Sequence, residues 1–255
     1  MIAFAIAQQT VREALRRRVM WIFLIIGLFL IALGPVFGFL SPKDSQTVLR
    51  SLGLAAILLA GLFITIVTCI YLIPVEIERR TIYTVLSKPV QRFQFVLGKF
   101  LGGFTVVLIN IAAMGIVFLA MIYFQEKRMP SEMLQGVVMT FFQMMLLAAL
   151  TIFFSTFASP VVNFFLSFGI FMVGNLTSVT DSLTTSRSSV ARMVGTIVHY
   201  LLPNFGNFNI QNSIIHPTIQ IQNQMVYIYQ NIIYAVVYSL VLLTLAVLIF
   251  DRREV

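Results

Sequence analysis

Hydrophobic positions in this chain come in long unbroken runs, unlike the two-residue alternation of a half-buried strand or the narrow stripe of a soluble helix. A hydrocarbon core of roughly 30 Å needs about 20 helical residues to cross it. On that measure the pattern predicts six transmembrane helices, at about 19–40, 51–74, 96–124, 132–158, 161–179 and 225–250. The continuity of the runs excludes a β-barrel, whose strands alternate lipid-facing and lumen-facing residues. Gly34 and Pro35 predict a kink late in the first run, and only Ser159 and Pro160 separate the fourth run from the fifth. Proline there ends one helix and opens the next.

Between the runs lie three stretches of other character. Residues 2–18 place Phe4, Ala7, Val11, Ala14 and Leu15 on one helical face and Gln8, Gln9, Arg12, Glu13, Arg16 and Arg17 on the other. This predicts an interfacial helix, with Glu13 and Arg17 one turn apart. Trp21 then sits where an indole meets the headgroups. From Thr180 to Gln224 polar residues dominate, but Val190, Met193, Val194, Ile197 and Leu201 keep helical spacing up to Pro203. That predicts a second interfacial helix, and the segment LLPNFGNFNI after it reads as a partly re-entrant loop covered by protein, since open backbone cannot face lipid. The third stretch, Glu76 to Gly103, is a charged island between the second and third runs.

Composition agrees with a membrane chain: 59% of the 255 residues are hydrophobic, 10% are charged, and the mean hydropathy is +0.96. The formal charge of +8 does not point to nucleic acid, because the basic residues sit at the ends of apolar runs, where they orient helices. Counted by side, eleven of the seventeen Lys and Arg fall with the two termini and the island, and six fall on the opposite side. Both termini and the island are therefore expected in the cytoplasm. The apolar run after Arg12, Arg16, Arg17 and Arg18 continues past signal-peptide length with no small-residue cleavage site, so it is expected to remain as the first span. The single cysteine, Cys69, excludes a disulfide framework.

Within the island Ile82, Val85 and Leu86 form an apolar stripe opposite Glu76, Arg80, Thr84 and Ser87. A short amphipathic helix over about 76–88 is expected, with Glu76 and Arg80 one turn apart and Pro89 ending it. The chain re-enters the membrane past Arg92 and Lys99. Gly98 and Gly102, four apart, share a face on which another helix can approach closely.

These residues resemble the cytoplasmic loop of ABC-2-type transporter permeases: Glu76 ending the second span, Thr81, Leu86-Ser87-Lys88-Pro89, Arg92, and Gly98-Lys99 opening the third. The six-span pattern, Leu202-Pro203-Asn204 before the last span and the basic tail carry the resemblance over nearly the whole chain. Arg80 departs from it, since many relatives have Gly there. The resemblance implies one all-α permease domain over residues 1–255, with the island helix as a coupling helix docking on a separate cytoplasmic ATP-binding-cassette ATPase. Its contact residues would be Glu76, Glu78, Arg79, Arg80, Thr81, Tyr83, Thr84, Ser87 and Lys88. It further implies a second permease subunit, export through the interface between the two, an extracytoplasmic gate at the re-entrant loop, and a bacterial inner membrane setting with lipid and an accessory periplasmic or extracellular protein as further partners.

The residues themselves supply part of this. No G-x-x-x-x-G-K-[ST] phosphate loop occurs, so nucleotide is expected to bind a partner, and no catalytic constellation or cofactor site is visible. No ionisable residue is expected well inside a span, where ion-coupled carriers keep relay groups. His199 and His216 lack companion ligands, the scattered methionines read as soft packing, and Asn110, Gln143, Asn163 and Asn175 read as interhelical hydrogen-bonding groups. A non-transporting scaffold or accessory subunit is the alternative of another class. A secondary carrier is a more distant one.

Overall fold

The structure, a computed structural model, describes residues 2–40, 45–78, 91–127, 131–176, 192–193, 195–196, 202–209 and 223–252. All regular structure among them is helical: α1 (Ile2–Leu15), α2 (Arg18–Leu40), α3 (Ser45–Cys69), α4 (Pro74–Glu78), α5 (Arg92–Glu126), α6 (Ser131–Ser155), α7 (Pro160–Asn175), a 3-10 turn (Phe205–Phe208) and α8 (Gln224–Arg252). Five of these segments are long and apolar enough to cross a membrane: Met20–Gly38, Ser45–Ile77 (α3, a short turn and α4 together), α5, α6 and α8.

The fifth run behaves differently from expectation. Ser159 and Pro160 do open α7, with Ser159 extended and Pro160 in the first turn. The helix then stops after 16 residues, a length of about 24 Å. Its end is engaged by another segment, as a Cβ on Gly174 would lie 2.5 Å from the Pro203 carbonyl oxygen. Of the remainder of the predicted span, residues 177–179 lie outside the described residues.

Central α3 and α6 are the most enclosed helices, and α2 and α8 are peripheral. Ile22, Ile25 and Phe29 of α2 and Ile233, Val237 and Leu248 of α8 are exposed, which costs nothing where the surroundings are acyl chains. Pro35 lies inside α2. α3 begins at Ser45, six residues before the apolar run, because Arg50 has a partner: its Nε and Nη2 donate to the two carboxylate oxygens of Glu126 at 3.0 and 2.7 Å. A fork of that kind fixes both distance and angle, so α3 is tied to the far end of α5. Close approach along the same pair is set by Gly53, where any Cβ would collide with the Phe118 ring. Lys127 closes α5 in the left-handed region, φ 52°, donating its N–H to the Tyr123 carbonyl.

The in-span amides are satisfied in two ways. Gln143 Nε2 donates to Asn175 Oδ1 at 3.1 Å and to the Phe205 carbonyl at 3.0 Å, and Asn163 Nδ2 donates to the Thr151 carbonyl. Those bonds join separate elements. Asn110 and Asn175 instead donate to carbonyls one turn back in their own helices. Residues 202–209 are held on three sides, with Phe205 and Phe208 buried, Tyr234 accepting from the Asn204 N–H, and Tyr227 donating to the Asn207 carbonyl. Of the predicted second interfacial helix, 192–193 and 195–196 are described and helical; the rest lies outside the described residues, as do His199 and His216.

Candidate functional site at the base of α5

Four helices converge where α5 begins. Arg92, Phe95 and Lys99 stand at i, i+3 and i+7, which puts them on one stripe of α5. Each faces a different structural requirement.

Arg92 reaches the end of the last helix. Its Nη1 donates to the carbonyls of Phe250 at 3.0 Å and Asp251 at 2.7 Å, and its Nε lies 3.6 Å from the Asp251 carboxylate. The final carbonyls of a helix lack intrahelical donors and carry the negative end of the dipole, so a guanidinium is well suited to cap them. The same guanidinium lies over the Phe250 ring, which in turn stacks on Phe95 at 5.8 Å.

Lys99 reaches the end of α4. Its Nζ lies 2.6 Å from Glu76 Oε1, with the side chains only 5% and 17% exposed, and the ammonium also approaches the Phe95 ring. Seven residues into α5 is a depth of about 10 Å. The expectation concerned positions well inside a span, and Lys99 stands near the margin of the third; it is buried there, and it is tolerated because a carboxylate meets it. Removing one partner of such a pair leaves an uncompensated buried charge, at a cost of about 3–5 kcal/mol.

On its other side α5 receives α1. Gly98 and Gly102 admit that helix so closely that a Cβ on Gly98 would lie 2.8 Å from the Ala3 carbonyl oxygen, and one on Gly102 2.5 Å from Thr10 Cβ. Ala7, Thr10 and Ala14 are buried there, while Phe4 is 75% exposed. The face of α1 turned to the protein is thus its small-residue stripe, and Phe4, grouped with Ala7 in the amphipathic pattern, points away. Thr10 meets its own hydrogen-bonding need within α1, donating to the Ile6 carbonyl.

Of the residues predicted to contact a partner, Glu76 is the one whose side chain is placed, and it lies on Lys99. Glu78 is the last residue of α4. Arg79, Arg80, Thr81, Tyr83, Thr84, Ser87 and Lys88 lie outside the described residues, as does the bulk of the expected short helix over 76–88. Sequence reasoning singled out Arg92 and Lys99 only as part of the family pattern and as charges at the membrane boundary, and gave Asp251 no role. The spacing of Arg92, Phe95 and Lys99 was a usable signal for a shared face, but nothing local indicated that Asp251, 159 residues away from Arg92, would meet it.

A bundle of long apolar helices defines a multi-pass membrane protein, and its charged segment between α4 and α5 is entered at Glu76, paired with buried Lys99, and left at Arg92, which caps α8. Residues 4–255 match the model of the ABC-2 family transporter proteins, so the chain belongs to that family. Among curated proteins no match was found. Membership makes the chain an ABC permease subunit and implies an ATPase subunit and a second permease as partners.

Proposed function

We propose that this permease moves its substrate out of the cell using ATP hydrolysed by a separate cytoplasmic subunit, and that residues 76–88 are the coupling helix on which that subunit docks. The observation that carries this is the double anchoring of the segment: Glu76 at its entry is ion-paired to Lys99, and Arg92 at its exit caps α8. A partner moving the segment would act on α4, α5 and α8 together. Glu76 in this reading holds the coupling helix to the bundle, and Glu78, Arg79, Arg80, Thr81, Tyr83, Thr84, Ser87 and Lys88 offer the contacts. The charge asymmetry supports six crossings, α7 with its continuation being the fifth, and cytoplasmic termini. The enclosed segment 202–209 serves as part of a re-entrant extracytoplasmic gate, and a pair of permeases in the bacterial inner membrane forms the pathway.

Affinity purification of the intact chain from its native membrane tests the reading. It is expected to bring an ATPase, and Arg80→Ala with Thr84→Ala is expected to weaken that association at least fivefold. Association and ATP hydrolysis both unchanged in the double variant would refute docking at this segment. Recovery of a protease or sensor in place of an ATPase would favour the scaffold alternative.

A further inference from the structure

We propose that the elbow between α1 and α2 is a binding site for the headgroup of an anionic phospholipid. Four arginines, Arg12, Arg16, Arg17 and Arg18, fall within seven residues, and Glu13 is the only carboxylate in the first 43 residues of the chain. The structure assigns that carboxylate to one of them: Arg17 Nη2 lies 3.0 Å from Glu13 Oε1, and its guanidinium also stands over the Tyr71 ring. Arg12, Arg16 and Arg18 are exposed and have neither a carboxylate nor a carbonyl partner among the described residues. Arg12 lies in the last turn of α1, Arg16 in the turn just past its end, and Arg18 opens α2 directly after the bend.

Two further features make this a lipid surface and not simply a solvated face. Trp21 is half-exposed and its Nε1 donates to the Leu15 carbonyl at 3.0 Å, so the indole is fixed at the elbow with its ring outward. Phe4 of α1 and Ile22 of α2, the two helices that meet at the elbow, are both exposed and apolar. Indole, exposed apolar groups and unpaired guanidinium together match the boundary between acyl chains and phosphate, and guanidinium takes phosphate oxygens in a bidentate manner. α1 itself is packed closely on α5, with Ala3, Ile6, Ala7 and Thr10 against Gly98 and Gly102. A bound headgroup would therefore brace α1 against the base of α5. Placement in the cytoplasmic leaflet rests on the orientation proposed above; the headgroup chemistry does not.

The test uses the intact chain in nanodiscs with spin-labelled phosphatidylglycerol or phosphatidylcholine as the probe. Each arginine near an anionic surface contributes about 1 kcal/mol, or roughly fivefold. Relative to the unaltered chain, R12Q/R16Q/R18Q is expected to lower the association constant for phosphatidylglycerol by on the order of 100-fold. R12K/R16K/R18K should retain most of it, and phosphatidylcholine should show no change. The single variant R12Q, which keeps three orienting arginines, is expected to lose about fivefold, and this guards against misinsertion of the triple variant. Equal retention of phosphatidylglycerol by R12Q and the unaltered chain would overturn the proposal, as would displacement by millimolar inorganic phosphate, which would make the site one for free anions. Lipid binding is read without the ATPase, so its failure leaves the coupling reading untouched.

Discussion

The two ends of α5 are built on opposite plans. At its base three side chains on one stripe, and two glycines on another face, tie it to α4, α8 and α1. At its far end an ion pair, Arg50 with Glu126, and the close approach of Gly53 to the Phe118 ring hold it to α3. Between that pin and the base an apolar cavity of about 250 Å³ opens between α5 and α6, lined by Leu108, Ile111, Gly115, Leu119, Val137 and Phe141 among others. A helix tied to different partners at its two ends, with open apolar space beside its middle, is suited to carry a push from its base into a separation further along. The polar groups decide which end is which: apolar contacts between spans gain little over contacts with lipid, so ion pairs, caps and close glycine packing set the rigid junctions.

Substitutions should reproduce that contrast, and thermal midpoints in detergent measure it, at about 2–4 °C per kcal/mol for a chain of this size. Lys99→Met takes the ammonium from the largely buried Glu76 carboxylate and is expected to have the largest effect, about 3–5 kcal/mol of destabilisation, with restoration when Glu76→Gln is added. Arg50→Met removes two charged hydrogen bonds to one carboxylate, for about 1.5–3 kcal/mol, and should loosen α3 from α5 without disturbing α1. Gly102→Leu forces α1 off the base at about 1–3 kcal/mol; faster protease cleavage within α1 distinguishes it from a general loss of stability. Ala112→Leu, pointing into the open cavity, should change stability by no more than about 0.5 kcal/mol. If Ala112→Leu proved as damaging as Gly102→Leu, the cavity would be tightly organised space and the comparison between the two ends would fail.

Much of the helical plan was legible because an apolar run of spanning length has few other solutions. The starts and ends were less so. α3 gains its first six residues from Arg50 and Glu126, partners 76 residues apart, and α7 ends at Asn175, beside the contact of Gly174 with Pro203 and Phe205. The spacing of Gly98 and Gly102 announced a close approach without naming α1 as the visitor. For α1 itself, hydrophobicity picked the facing side, with Ala7, Val11, Ala14 and Leu15 turned to the protein; Phe4 is the exception and points away, while small Ala7 and Thr10 meet Gly102 of α5. Lys99 was visible as a charge near a boundary, but its burial depends on Glu76 arriving from α4, which no local pattern reports.

The claim that the island is mechanically anchored through Glu76 and Lys99 is tested most directly by reversing the pair in the purified permease and ATPase complex. ATP hydrolysis by the complex would be measured for Glu76→Lys, Lys99→Glu and the two together. The single reversals are predicted to lower it by at least tenfold with the ATPase still bound, and the double reversal to recover most of the loss, since coupled sites depart from additivity. Single reversals that fold, bind the ATPase and hydrolyse ATP at the unaltered rate would contradict the account.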